Sequence, residues 1–311
     1  MIKIIAVHPD VMSTPEGIRE YLKDFGTGKG RWIPLVPSDW KRIVSQSIKG
    51  NHTLGVLKKN ELRDKIFNPI FKDRYLKIYS AEGDNREWNE IVEEFCNNGA
   101  FDAAIVGENI NAGDKSLLAH HFDPDCDLYR VSISGFVSRH PVELANRVAP
   151  GLRFAKELHV IDVYCQSQGT NCESYGNFFR HLLDSCRVTS PTLTSITLHR
   201  KEPTEFNRDR ELANYRSWVC RYLHSGESLN IRYYRERVDG EKMHLRAVFT
   251  NNLLITGHYG FGAGLSESET TDLTLREHRD LLQIRNHYLS DDHIGFDLIH
   301  EIEIKNLSNG Q

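Results

Sequence analysis

Apolar and polar positions alternate most strongly in three runs of this chain. Glu157–Tyr164 (ELHVIDVY), Phe296–Ile304 (FDLIHEIEI) and Met243–Phe249 (MHLRAVF) all carry the two-residue period of a strand. In the third run His244, Arg246 and Val248 fall on one face, and Leu245, Ala247 and Phe249 on the other. Thr250-Asn251-Asn252 then supplies a turn and Leu253–Thr256 a second strand, which predicts a hairpin. Gly257, Gly260, Gly262 and Gly264 follow, where backbone can come close to another group.

Around this hairpin, strand and helix patterns alternate. Pro141 opens a helix through Ala155, and Tyr175–Leu183 and Arg210–Leu223 read as helices between strands at 157–164, Ser195–His199 and Leu229–Tyr234. Tyr129–Arg139 alternates like an edge strand, and Glu267–Asp272 reads as an acidic, mobile loop. Leu273–Tyr288 contains a helix, and Asn306–Gln311 is a solvated tail. Earlier in the chain, KIIAVHP is a short strand ended by Pro9. Thr14 is then the candidate N-cap of a helix with Pro15 at its first position, a stripe of Ile18, Tyr21, Leu22 and Phe25, and Gly26 at its end. Leu76–Tyr79, Glu87–Asn97 and Phe101–Val106 read as strand, helix and strand, a parallel pair joined by a crossover. Gly107–Ala119 reads as a loop. The expectation is an α/β protein of two domains, 1–128 and 129–311. The first would be a smaller basic α/β or α+β half, and the second a mixed sheet with flanking helices.

At 311 residues, 39% hydrophobic and 26% charged, the chain suits one large or two medium globular domains. A net charge of −4 excludes a generally basic nucleic-acid coat but leaves room for a local one. Between Gly17 and Lys77 there are 14 Lys or Arg against 6 Asp or Glu, an excess of 8. Lys29, Arg31, Lys41, Arg42, Lys58 and Lys59 belong to it, with Trp32, Trp40 and Tyr75 interleaved. Basic residues among aromatics suit a nucleic-acid surface of DNA or RNA; a solvated helical face is the plainer alternative. FGTGKGRWI lacks the spacing of a nucleotide loop and reads as a turn. Six cysteines without C-x-x-C spacing, no visible signal peptide and no membrane span point to a reduced, cytoplasmic protein. His120 to Asp127 is metal-capable in composition, but consecutive histidines point apart; a polar loop is expected, with no metal or other cofactor.

The chemistry concentrates at the hairpin. A guanidinium fork, an imidazole and unobstructed glycine amides suit an anion, most naturally a phosphate. Here the sequence resembles the phospholipase D-like superfamily, whose motif is His-x-Lys, four residues, Asp, then a glycine-rich strand end. His244, Arg246 and Asn251 stand at the His, Lys and Asp positions, with Gly257 near the family's glycine. The wording is closer still to single His-x-Arg variants, found at the C-terminus of MIT-domain proteins and in bacterial defence-associated proteins. The resemblance covers roughly Arg139–Ile304.

That resemblance implies a phospholipase D-like fold for the second half, with His244, Arg246 and Asn251 in the catalytic positions and Arg246, Gly257 and Gly260 holding phosphate. The family's chemistry uses two histidines across one phosphate, one as nucleophile and one as acid. His199-Arg200-Lys201 repeats the spelling, but Phe206 stands at the acidic position, and it reads as a surface strand end. His8 and His140 each precede a proline. With one motif per chain, turnover requires a homodimer that pairs motif to motif. Asn251 also lacks the carboxylate that would orient an imidazole. The expectation is therefore a phosphodiester- or nucleic-acid-binding protein, placed by resemblance in a bacterial anti-phage system with other defence subunits as partners. The alternatives are a dimeric phosphodiesterase or nuclease acting through His244, and a phosphoinositide or membrane-surface module. Against the last, no basic amphipathic helix with a large apolar face is visible.

Overall fold

The computed structural model describes residues 2–78, 86–121, 123, 126–189, 193, 195–219, 221–224, 226–240, 242–262, 264, 268–290 and 296–305. The expected tail at 306–311, Cys220 and part of the acidic loop and of the His120–Asp127 cluster lie outside these residues. The chain divides into two compact units, Met1–Ile133 and Ser134–Gln311. The division thus falls beyond 128, because Tyr129 is buried in the first unit with Arg31 over its ring at 4.1 Å.

The first unit is built on five strands: β1 (Lys3–Val7), β2 (Arg31–Leu35), β3 (Tyr75–Lys77), β4 (Ala103–Val106) and β5 (Ser116–Leu118). All pair in parallel, in the order β3-β2-β1-β4-β5. Parallel strands are buried on both faces and carry continuous apolar runs, as in β4, whose four residues are all buried. Its helices are α1 (Pro15–Asp24), α2 (Trp40–Gly50), α3 (Val56–Phe67) and α4 (Trp88–Asn97). Thr14 caps α1 as its sequence predicts, accepting the Gly17 amide at 3.0 Å. β3 and β4 are parallel but are not neighbours: α4 carries the chain back across β2 and β1. Two strands escape the sequence reading. β2 contains Pro34, tolerated because pairing with β1 has ended at Trp32 by that point. β5 is a three-residue edge strand inside the expected loop.

The second unit holds an eight-stranded mixed sheet with flanking helices, the α/β architecture expected of it. Its strands are β6 (Ser134–Ser138), β7 (Glu157–Ile161), β8 (Ser195–Lys201), β9 (Ser228–Glu236), β10 (Ala247–Phe249), β11 (Leu254–Gly257), β12 (Thr270–Leu275) and β13 (Phe296–Lys305). The order is β13-β9-β8-β7-β10-β11-β12-β6, with β7, β8 and β9 parallel and every other pairing antiparallel. The helices are α5 (Pro141–Val148), α6 (Gly169–Thr189), α7 (Arg208–Val219) and α8 (His278–Leu289). β12 stands where a loop and helix start are expected. Its Thr271, Leu273 and Leu275 are buried in strict alternation, a pattern masked by the acidic residues around it.

The hairpin sits against β7, with Phe249 opposite His159 and Val248 opposite Val160. Phe249 is fully buried and its ring stacks on His159 at 4.7 Å and on His199 at 5.9 Å. Phe249→Ala should therefore destabilise the second unit by about 3–5 kcal/mol, the range for removing a buried aromatic ring. Urea unfolding measures this, and a loss below about 1 kcal/mol would mean that the hairpin packs independently of β7.

Candidate functional site

The site begins where β7 ends. Asp162 follows Ile161 at the carboxyl ends of the three parallel strands and is completely buried. Its amide donates to the His199 carbonyl at 3.1 Å, and its Oδ1 accepts the Tyr164 amide at 2.9 Å. Its Oδ2 accepts the hydroxyl of Tyr175, carried in on α6. Burial raises the Asp162 carboxyl above its ordinary range, while Tyr175, the Tyr164 amide and Arg246 favour the ion. Tyr175 is likewise pushed up, by burial first and then by Asp162.

Gly260 lies directly on this pair, in the left-handed region at φ 80°. A β-carbon there would stand 3.0 Å from the Tyr175 hydroxyl and 3.1 Å from Arg246 Cδ. At Gly262 it would stand 2.8 Å from the Tyr175 ring. These two glycines bring the run onto the buried pair, while Gly264 is crowded separately, with Glu269 Cβ 2.9 Å from where its β-carbon would stand. Arg246 is held between these groups and solvent: its Nη1 donates to the His258 carbonyl, and its guanidinium lies 4.6 Å from the centre of the exposed Tyr164 ring. His258 and Tyr259 are exposed beside it, their rings edge to face at 4.6 Å. The result is a shelf of one cation and three ring side chains over a buried carboxylate.

The structure brings only part of the expected set together. Arg246 and Gly260 meet, and Gly257 donates its amide to the Arg246 carbonyl at 3.0 Å. His244 and Arg246 precede β10 rather than belonging to it, because the ladder ends with the Gly257–Arg246 bond. His244 is exposed and makes no hydrogen bond or ion pair among the described residues. Asn251 stands exposed in the turn at the closed end of the hairpin. It stands five positions beyond Arg246, about 16 Å along the chain, so it cannot orient an imidazole at the open end. Asp162, Tyr175, Tyr164 and His258 are the residues that sequence reasoning missed. The one available signal was Asp162 itself, a carboxylate in the middle of the apolar run LHVIDVY.

His199 and Arg200 are not a surface strand end: their exposures are 0% and 5%. Arg200 Nη1 donates to Glu211 Oε2 at 3.3 Å and to the Tyr215 hydroxyl at 2.5 Å. Glu211 also accepts from Tyr233 at 2.6 Å and from Ser167 at 2.8 Å. His199 Nε2 lies 3.1 Å from His159 Nδ1, and its Nδ1 lies 3.0 Å from the Tyr234 hydroxyl. Tyr234 in turn donates to the Tyr288 carbonyl at 3.2 Å. Sealed from solvent, this pair of histidines is a packing device.

The basic residues of the first unit do not form a stacking surface. Trp32 and Trp40 are 1% and 0% exposed and Tyr75 is buried, so none can receive a base. Arg31 packs on Tyr129, Lys41 lies 3.8 Å from the Tyr75 ring centre, and Arg42 pairs with Asp39. Lys58 pairs with Glu61 and Lys59 donates to the Lys49 carbonyl, each at 2.9 or 2.8 Å. Lys29 alone of the six is exposed without a side-chain partner among the described residues. No group of three metal-binding side chains and no helix long and apolar enough to cross a membrane occurs among the described residues.

No protein-family model matches the sequence, and no curated protein matches it either. Among solved structures it is similar to TrmBL2, an archaeal chromatin protein with a novel mode of DNA binding. The identity is 15% and the TM-score 0.29, over 50% of this chain and 51% of that one. It is also similar to a phosphatidylserine synthase of Haemophilus influenzae, at 9% identity and a TM-score of 0.30, over 56% of this chain and 47% of that one. The chain spans about half the length of each. Likenesses this slight carry no functional argument, which rests on the site.

Two outcomes test the geometry. Gly260→Ala should cost roughly 1–3 kcal/mol, combining a disfavoured φ with a clash on the Asp162–Tyr175 pair. Thermal unfolding would show it, and a neutral substitution would mean that the shelf is not fixed by this contact. The second outcome concerns acid. Burial lowers His159 below its ordinary 6.5, so the folded chain resists a proton that the unfolded chain accepts. Glu157, beside His159 at 3.6 Å and Arg285 at 3.0 Å, is lowered to about 2 from 4.5. Both shifts have the same sign. Stability from His159 is present above pH 6.5 and declines below it, and that from Glu157 declines between pH 4.5 and 2. The melting temperature of the second unit should fall as pH drops from 7 to 4, whereas a flat profile would contradict the buried neutral imidazole.

Proposed function

We propose that the second unit binds a phosphodiester on the Arg246 shelf, with nucleic acid as the ligand class, and that its role is binding without turnover. The observation that carries this reading is the fixed guanidinium. Arg246 is aimed by the His258 carbonyl, the Tyr164 ring and the glycine backbone, and its remaining donors are left for an anion. Exposed Tyr164, Tyr259 and His258 supply ring faces of the kind that single strands stack on. The resemblance to phospholipase D-like proteins agrees, and an anti-phage setting is what that resemblance alone adds. Against turnover, no carboxylate among the described residues bonds to His244, and Asn251 is too distant to orient it. One feature favours the second reading, a phosphodiesterase assembled as a homodimer: His244 is exposed and unpartnered, hence accessible to a second copy. The basic residues of the first unit do not enter this proposal, since most are occupied locally.

The test is a series at two positions, read by filter binding and by cleavage of labelled DNA and RNA oligonucleotides. For a binding shelf, Arg246→Ala should weaken affinity by about tenfold or more, the worth of a charge-assisted contact. His244→Gln should bind almost as the unaltered protein does. For a dimeric enzyme, His244→Gln should bind normally and lose cleavage entirely. If Arg246→Ala binds both nucleic acids with full affinity, the shelf is not the site. If cleavage survives in His244→Gln, the dimeric enzyme is excluded.

A further inference from the structure

The first unit carries a cleft of its own that the phosphodiester proposal does not use. Its parallel sheet runs β3-β2-β1-β4-β5, so the strand order reverses direction beside β1. Right-handed crossovers then place α1, α2 and α3 on one face and α4 on the other. In sheets of this kind the loops part at the carboxyl ends of the strands near the reversal, and ligands bind in the opening. Here the opening measures about 410 Å³, within the ~300–1,000 Å³ of small-molecule sites. His8 and Asp10 from the loop after β1, Pro37 and Asp39 from the loop after β2, Ile43 of α2 and Trp88 of α4 line it.

The lining favours a particular chemistry. The His8 Nδ1 accepts the Asp10 amide at 3.2 Å, which places the ring proton on Nε2, and burial lowers the imidazole in the same direction. Its Nε2–H is therefore a donor. The imidazole sits edge to face on the Trp88 indole at 4.8 Å, a firm mount for that donor. Asp10 gives one oxygen to Ser47 at 2.9 Å, and Asp39 gives one to Arg42, leaving each carboxylate an oxygen to accept with. Two carboxylates that only accept suit a pair of hydroxyl donors, such as the diol of a ribose. Pro37 and Ile43 offer an apolar surface to a flat ring. Phosphate is disfavoured: Glu87 puts its carboxylate at the N-terminus of α4, where an anion would otherwise sit, its amide is taken by Glu90 at 3.3 Å, and Arg86, the arginine of the lining, is paired with Glu94.

We propose that this cleft binds a nucleoside, with Asp10 and Asp39 accepting from the ribose hydroxyls and His8 donating to the base. The experiment is calorimetric titration of the whole chain with adenosine, guanosine, cytidine and uridine. At least one should bind with a Kd of about 1 mM or tighter. Its 2′,3′-dideoxy form should bind about tenfold or more weakly, as should the parent nucleoside to Asp39→Asn. The 5′-monophosphate should gain nothing over the nucleoside. Ile43→Trp, which fills the cleft and keeps every polar group, should abolish binding while the melting temperature shows the chain folded. The proposal is overturned if none of the four binds, if the dideoxy form binds equally well, or if both variants bind like the unaltered protein. None of these results bears on Arg246.

Discussion

The second unit depends on one close approach, that of the Gly260–Gly262 backbone to the buried pair of Asp162 and Tyr175. Three elements meet there: the end of β7, the α6 helix and the chain leaving β11. Asp162 is the stem of the arrangement, since its backbone and both of its carboxylate oxygens are engaged. A carboxylate that deep is tolerable only because donors surround it. Because Arg246 Cδ also lies against Gly260, the position of the guanidinium follows from the same contact. A side chain at Gly260 would disturb both together. The surface chemistry is thereby tied to a buried one.

A second constraint lies under the hairpin. His159, His199 and Tyr234 form a hydrogen-bonded row stacked against Phe249. The Tyr288 carbonyl can only accept, so the Tyr234 hydroxyl gives it a hydrogen and takes one from His199 Nδ1. His159 faces this row with Nδ1 and the Glu157 carboxylate with Nε2, the latter at 3.6 Å. Neutral rings suit the apolar packing around them, and one added proton would have to enter that packing. The same spelling, His-Arg-Lys at 199–201, thus makes a core element here, while His-Leu-Arg at 244–246 makes a surface one. Spelling alone could not separate them; burial does.

Strong periodicity made much of the fold legible. β1, β4, β7, β8, β9 and β13 all appear where apolar runs or strict alternation point, and the cap at Thr14 forms as its residues suggest. The failures have separate physical causes. β2 was hidden by Pro34, which ordinarily argues against an interior strand, and β12 by acidic residues on its exposed side. At the site, Arg246 and Gly260 were legible because arginine and clustered glycine each announce a requirement. Asp162 and Tyr175 were not, because nothing in sequence says that a residue near 162 and one near 175 touch a glycine near 260. Aromatic residues among lysines misled for the reverse reason. Trp32 and Trp40 belong to the apolar period of their own strand and helix, and the neighbouring cations lie on the outer positions of the same elements.

The charge balance at the shelf bears on what it can do. An arginine facing a carboxylate directly would spend its fork on that partner and have little left for a ligand. Here Asp162 takes its hydrogen bonds from Tyr175 and the Tyr164 amide, while Arg246 hydrogen-bonds a carbonyl, lies on a ring and acts on Asp162 only through its charge. Its fork is therefore held in place without being taken up by a carboxylate, which is the condition for gripping an anion. Nucleophilic turnover asks for more, namely an imidazole whose tautomer and orientation are fixed by a second group. His244 has no such group among the described residues, and the buried histidines have partners but no access to solvent. The unit thus separates the two requirements between different histidines, which is why the proposed role is binding.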